Sequence, residues 1–346
     1  MNVIRRTIQR LGPARGALED PTPLVRPFFV CGHPRSGTNW VSSLLNLHPQ
    51  VFCDGEFHFH LIRSGIEGFQ SQPWYVGSRE PVRSETERAF ASLVLGCLTA
   101  QAHRPAEHGG KPGATEVGDH TPRMLRMLIP PPAGRYIIIF RDGRDVLVSW
   151  TFHLLKTARP DIMHPHVRPI FEQVLPAAGE SADAARQAAR RLLADRAWVQ
   201  HYAAGWSDHT GHDLATMRQL KADGHASSLL RLSYEELHAD TQTHRARMYT
   251  FLGVKPSEAS PLSRESHTAP GFGREAPRSF YRRGEVGDWR NYIDAQSHSW
   301  FLERAGARLS ELGYDVAPAA STPKPLTPQS AQPTTVPPSR EEKKTS

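Results

Sequence analysis

The hydrophobic pattern changes period repeatedly along the chain, and each change marks an element. Residues 28–31, Phe-Phe-Val-Cys, are a short unbroken apolar run, the pattern of a strand buried on both faces. From Asn39 the apolar positions Val41, Leu44, Leu45 and Leu47 recur at helical spacing. A second short strand is read at Val51-Phe52-Cys53. Residues 136–140, Tyr-Ile-Ile-Ile-Phe, give the strongest strand pattern and run through a charged turn into a helix from Val146 to Lys156. Leu229-Leu230-Arg231-Leu232 is a further strand, followed by Ser233 and a helix through Phe251-Leu252-Gly253.

Other stretches speak less clearly. Residues 57–110 mix loops with a helix signal at 85–102, and 103–113 is loop by composition. Pro122 suits the first turn of a helix carrying Met124, Leu125 and Leu128, which Pro130, Pro131 and Pro132 stop. Residues 157–180 read as a long loop. Residues 181–206 read as one helix, with Ala194, Trp198, Tyr202 and Trp206 forming a core stripe at i,i+4 steps. The segment 281–292 is polar and too irregular for a core element, and a last helix at 299–312 closes on Gly313. Strands alternating with helices predict one α/β domain over 25–316, a central, mostly parallel sheet flanked by helices. An N-terminal extension, 1–24, precedes it. A Pro/Ser/Thr-rich tail, 317–346, follows and is expected to be disordered.

Composition narrows the function. The chain has 346 residues, 38% of them hydrophobic, and no run approaches the roughly 20 apolar residues of a spanning helix. A net charge of +7 favours anionic ligands, but no basic block interleaves with aromatics, so nucleic acid is not expected as a partner. Cys31, Cys53 and Cys97 lack metal-ligand spacing, and an odd cysteine count suits a reducing, cytoplasmic setting. Asp54, Glu56, His58 and His60 alternate but read as polar loop residues, and no metal is expected.

The chemistry concentrates at two turns. Between the first strand and helix, Gly32 and Gly37 keep the G-x-x-x-x-G spacing of a phosphate loop. Turn amides and the helix start make an anion site there. Thr38 and Asn39 stand where such a loop carries Lys and Ser/Thr, and the positive charge has moved inside, to Arg35. The second turn carries Arg141, with Ser149 two turns along its helix. In an open α/β sheet both turns gather at the carboxyl edge and so face one ligand with two anionic ends. Arg282, Arg283 and Gly284 would close over it from the far end of the chain.

These residues resemble the sulfotransferases that use 3′-phosphoadenosine-5′-phosphosulfate (PAPS) and release adenosine 3′,5′-bisphosphate (PAP). PRSGTNW at 34–40 resembles that family's 5′-phosphosulfate loop, and FRDGRDVLVSW at 140–150 its 3′-phosphate motif. FYRRGEVGDWRNYI at 280–293 is similar to its C-terminal F-x-R-K-G-x-x-G-D-W-K-N segment, while SYEEL and FLG resemble a further pair. The resemblance implies that Arg35, Ser36, Gly37, Thr38 and Asn39 hold the sulfonate and 5′-phosphate, and that Trp40 stacks on adenine. Arg141 and Ser149, completed by Arg282, Arg283 and Gly284, would bind the 3′-phosphate. Arg35 for Lys and Asn39 for Thr are departures from the cytosolic pattern.

The implied reaction moves a sulfuryl group to a hydroxyl or amine of an acceptor that the sequence does not name. A general base must take the acceptor's proton. His120 in GDHTP resembles the base of the cytosolic enzymes; Asp119 and Glu56 occupy positions where other branches place a carboxylate, so three candidates stand. The alternative readings are a P-loop-like kinase, opposed by the missing Lys after Gly37, and a non-catalytic nucleotide-binding protein, opposed by the intact Arg35, Arg141, Ser149 and Arg282-Arg283-Gly284 set.

Overall fold

A computed structural model describes residues 25–72, 80–128, 134–263 and 284–317. The N-terminal extension, the tail beyond residue 317, Arg282 and Arg283 lie outside the described residues.

The first apolar run is β1, Arg26–Cys31, and it enters α1, Thr38–Leu45, through the glycine turn. β2, Val51–Gly55, follows, then α2, Phe59–Gln70, and α3, Glu80–Ala102. Next come β3, Glu116–Thr121, and β4, Arg135–Phe140, which leads into α4, Gly143–Thr157. Three helices follow in succession: α5, Arg168–Ala178, α6, Ala182–Leu193, and α7, Arg196–Ala222. β5, Leu229–Ser233, precedes α8, Tyr234–Ala239, and α9, Thr241–Leu252, and α10, Ala295–Leu312, ends the described chain.

The strands form one parallel sheet in the order β2-β3-β1-β4-β5. β1 occupies the centre, which is why Phe28, Phe29, Val30 and Cys31 are all buried. Phe29, Cys31, Tyr136 and Ile138 pack with Phe90, Val94 and Leu98 of α3 and with Leu214 and Met217 of α7. Phe28, Val30, Ile137 and Ile139 pack on the other face with Val41 and Leu44 of α1 and with Met248 and Leu252 of α9. A separate helical cluster joins α4, α5, α6, α7 and α10 around Trp198, Trp206, Phe171 and Phe301. The Trp198–Trp206 stripe is core, as its spacing predicts.

Several expectations change. Glu116–Thr121 has no apolar run, yet it is a central strand, β3. Its polar ends are satisfied: Glu116 is fully buried and accepts from Arg26 and Arg135. Gly118 leaves room for Phe28, whose ring lies 2.4 Å from where a Cβ would stand. The helix expected at Pro122 shrinks to a 3₁₀ turn, Leu125–Met127. The expected loop 157–180 contains α5, which buries Phe171 and Val174. Residues 181–206 divide at Ala194–Asp195, because the Asp195 side chain caps a new helix by accepting from the Trp198 N–H at 2.9 Å. Ala194 therefore leaves the stripe. Asp240 divides α8 from α9 in the same way, accepting from Thr243 N–H. α2 lies in a stretch read mostly as loop. Within 281–292, a 3₁₀ turn at Asp288–Asn291 buries Asp288 and Trp289, so part of a segment expected to hold no core element joins the core.

Candidate functional site

Because every strand runs the same way, the turns after β1, β2, β3, β4 and β5 meet at one carboxyl edge. Three non-glycine residues with left-handed backbone lie there, Arg35 at φ 71°, Glu56 at φ 23° and His58 at φ 56°. Such a conformation costs roughly 1–2 kcal/mol per residue, and it persists where surrounding structure dictates it.

The first turn shows why its glycines are needed. A Cβ at Gly32 (φ 149°) would stand 2.4 Å from the Ile139 carbonyl oxygen. At Gly37 (φ 104°) it would stand 2.7 Å from the Tyr234 ring. The loop closes with Ser36 N–H donating to the His33 carbonyl at 3.0 Å. Ser36 is 1% exposed, and its hydroxyl has no hydrogen-bond partner among the described residues. A buried hydroxyl left this way costs about 1–3 kcal/mol, and a bound anion oxygen would supply its partner. A sulfonate or phosphate fits that requirement.

The two sequence motifs touch. Arg35 Nε donates to Ser149 Oγ at 3.2 Å, and Arg141 Nη1 donates to the Arg35 carbonyl at 3.2 Å. Arg141 lies over the Tyr234 ring, 4.1 Å from its centroid, and Tyr234 packs in turn on Trp40 at 5.4 Å. Trp40 is buried, with His238 also against it. Burial and the Arg35 guanidinium hold His153 down at about 4, so it is neutral beside that arginine at physiological pH.

The C-terminal segment is drawn to the same edge by three anchors. Asp145 accepts from the Gly287 and Trp289 N–H groups at 2.7 and 2.8 Å. Arg141 Nη2 donates to the Glu285 carbonyl at 3.0 Å, and Tyr234 Oη donates to the Gly284 carbonyl at 2.8 Å. Gly284 thus lies beside Tyr234 and near Arg141. Sequence reasoning missed Asp145 and Tyr234. A carboxylate one residue beyond Arg144 at a helix start looks like an ordinary dipole partner, and its amide partners lie 142 and 144 residues away.

The base candidates separate by strand geometry. Asp119 and His120 are neighbours on β3, so their side chains point to opposite faces of the sheet. His120 pairs in register with Gly55 and Val30, on the face covered by α1. Its ring lies over Gly55, where a Cβ would be 2.0 Å from Cε1. Nδ1 lies 3.1 Å from the Asp54 carbonyl oxygen. A carbonyl only accepts, so Nδ1 carries the proton and Nε2 of the neutral ring is the free lone pair. Burial lowers the His120 pKa, with Glu56 and the Asp54 contact opposing it. Asp119 is 1% exposed and faces the α3 side; burial pushes it up to about 7, against the hydrogen bond from Phe57 N–H. Glu56 is exposed at the end of β2. Among the described residues, no group of His, Cys, Asp and Glu could hold a metal ion.

The fold is a parallel α/β sheet with an arginine-bearing glycine turn after its central strand and a second arginine beside it. The chain belongs to the sulfotransferase domain family, whose model matches residues 26–313. It is a sulfotransferase. Sulfotransferase 1C2 of Oryctolagus cuniculus is 21% identical over 296 residues, covering 78% of this chain and 79% of the relative. Mouse sulfotransferase SULT7A1, solved with PAP, is 17% identical with a TM-score of 0.43, covering 82% of this chain and 85% of that one. A sulfotransferase from Alicyclobacillus acidocaldarius is 15% identical with a TM-score of 0.41, covering 86% and 98%.

Proposed function

We propose that Arg35, Ser36 and the amides of Gly37 to Asn39 hold the sulfonate and 5′-phosphate of PAPS, and that Arg141 and Ser149 hold its 3′-phosphate. Gly284, with Arg282 and Arg283 before it, completes that end. Trp40 is the ring for adenine, and because it is 2% exposed with Tyr234 and His238 against it, it must be uncovered to stack. His120 is the general base toward a hydroxyl or amine acceptor. The observation that carries this reading is the buried Ser36 hydroxyl, without a hydrogen-bond partner among the described residues, at the sheet edge where the His120 ring meets the Asp54 carbonyl.

PAPS supplies both the sulfuryl group and a phosphate leaving group when bound. His120 Nε2 accepts the acceptor proton, while the Asp54 carbonyl fixes the ring and steadies the imidazolium that forms. Arg35, the Ser36 hydroxyl and the loop amides meet negative charge on the departing side, in line with the acceptor. Each such donor contributes on the order of 10²–10³ in rate. Arg35 is held for this by Ser149 and by the Arg141 bond to its own carbonyl. The domain is read as 25–316. Its three cysteines are free, with Cys31 and Cys53 buried, which supports a reducing, cytoplasmic location. No described helix is long and apolar enough to cross a membrane.

PAP at a hundredfold excess over its Kd is expected to stabilise the protein by about 2.7 kcal/mol, read as a rise of several degrees in Tm. An unmoved melt would remove the donor site. Labelled PAPS offered with panels of phenols, alcohols, sugars and amines then identifies the acceptor.

The pH profile distinguishes the bases. His120 works when neutral and its pKa is depressed, so kcat is expected to rise with pH through a midpoint below 6.5 and to stay level above it. A midpoint near 7 would instead match Asp119.

A further inference from the structure

One face of α7 reaches three of the edge turns. Trp206 lies against Gly143, where an added Cβ would come within 2.5 Å of the indole. One turn on, the His209 ring meets His33 edge-on, with centroids 5.0 Å apart. At the next turn Asp213 Oδ1 accepts from the Leu125 N–H at 2.7 Å. Positions 206, 209 and 213 follow the i, i+3, i+7 spacing of a single helix face. Gly143 opens the helix of the 3′-phosphate motif. His33 belongs to the sulfonate loop, and its carbonyl takes the Ser36 N–H. Leu125 follows the end of β3 that carries His120.

The two polar groups are placed where packing alone would choose apolar ones. Asp213 is 0% exposed and His209 is 8% exposed, while Leu214 and Met217 on the same helix fill core positions. His209 Nε2 and Asp213 Oδ2 face each other at 3.3 Å. Their alignment is not that of a hydrogen bond, and neither atom has another hydrogen-bond partner among the described residues. Burying a carboxylate is unfavourable unless specific contacts offset it, and the Leu125 N–H and the facing His209 ring are the contacts Asp213 has. His33 stays neutral in this cluster, since burial and neighbouring His209 hold it down to about 3.

We propose that His209 and Asp213 are positioning residues for sulfuryl transfer. His209 seats the sulfonate loop through His33, and Asp213 seats the His120-bearing end of β3 through the Leu125 amide. α7 thereby fixes the separation between the leaving-group donors and the base. The proposal rests on the roles assigned above to Arg35, Ser36 and His120.

Amide hydrogen exchange on the ligand-free full chain tests it alongside turnover. His209→Leu removes the ring that meets His33, and Asp213→Leu removes the acceptor for the Leu125 N–H. His209→Phe keeps a ring against His33, and Asp213→Asn keeps an oxygen that can accept from the Leu125 N–H. His209→Leu is expected to speed exchange of the Ser36 amide, and Asp213→Leu that of the Leu125 amide, each by about tenfold or more, as local opening becomes easier. The Phe and Asn variants should stay close to the parent. Turnover of PAPS with the acceptor found by the panel should fall in the Leu variants and recover in the Phe and Asn variants. PAP affinity should weaken in His209→Leu, because the loop that His209 seats holds the 5′-phosphate, and stay unchanged in Asp213→Leu. Parent-like exchange in the Leu variants overturns the proposal. So does an equal loss in the Phe and Asn variants, which marks a purely structural role. Normal turnover in Arg35→Ala would sink the underlying site reading while leaving the exchange result untouched, so the two ideas fail separately.

Discussion

His120→Ala is expected to lower turnover by about 10²–10⁴ while PAP affinity stays essentially unchanged. The split follows from where the ring sits. His120 lies on β3 beside Gly55, held by the Asp54 carbonyl, and has no contact with the Arg141 side of the site among its hydrogen bonds. Removing it takes away proton acceptance and leaves the donor grip intact. Asp119→Asn and Glu56→Gln serve as controls and should retain most turnover. Asp119 points to the opposite face of the sheet and is sealed from solvent. Glu56 faces solvent beyond the strand end. Steady-state kinetics with calorimetric PAP binding checks the pattern. Full turnover in His120→Ala, with loss in Glu56→Gln, would transfer the role to the carboxylate.

Arg141→Ala carries the second large effect, this time on affinity. A charge-assisted contact to phosphate is worth about 1.5–3 kcal/mol, so PAP should bind roughly 10- to 150-fold more weakly. The side chain does more than present a charge. It reaches the Arg35 carbonyl with one nitrogen and the Glu285 carbonyl with another while lying over Tyr234. Lysine keeps the charge but lacks the planar fork, so Arg141→Lys should recover only part of the loss. Calorimetry with PAP reads both variants. Unchanged affinity in Arg141→Ala would place the 3′-phosphate elsewhere.

The glycine turn and the basic residues of the proposed donor site are legible in the sequence. Gly32 and Gly37, Arg35, and the Arg141–Ser149 pair are local patterns, because an anion loop is built from consecutive amides at a helix start. The structure then supplied the steric reason for both glycines and brought Arg35 to Ser149. β3 was not legible as a strand. Its Glu-Val-Gly-Asp-His-Thr run has no alternating apolar signal, since Arg26 and Arg135 satisfy Glu116 and Phe28 occupies the space over Gly118. α5 was hidden by the prolines and histidines around it, though Phe171 and Val174 carry a helical step. The break at Asp195 was missed because continuous apolar spacing masked a side-chain cap.

The choice among His120, Asp119 and Glu56 shows the boundary most clearly. The residues and their order come from the chain itself, as do the strand–turn–helix units and the charge at each turn, because these depend on neighbours a few residues apart. Which of the three can act depends on strand alternation, on a carbonyl donated by β2, and on burial by helices from other parts of the chain. The same holds for Asp145, which gathers amides from the C-terminal segment, and for Asp213 and His209, which reach loops far away in sequence. Desolvation and long-range hydrogen bonds decide these roles, and neither exists until the sheet has assembled.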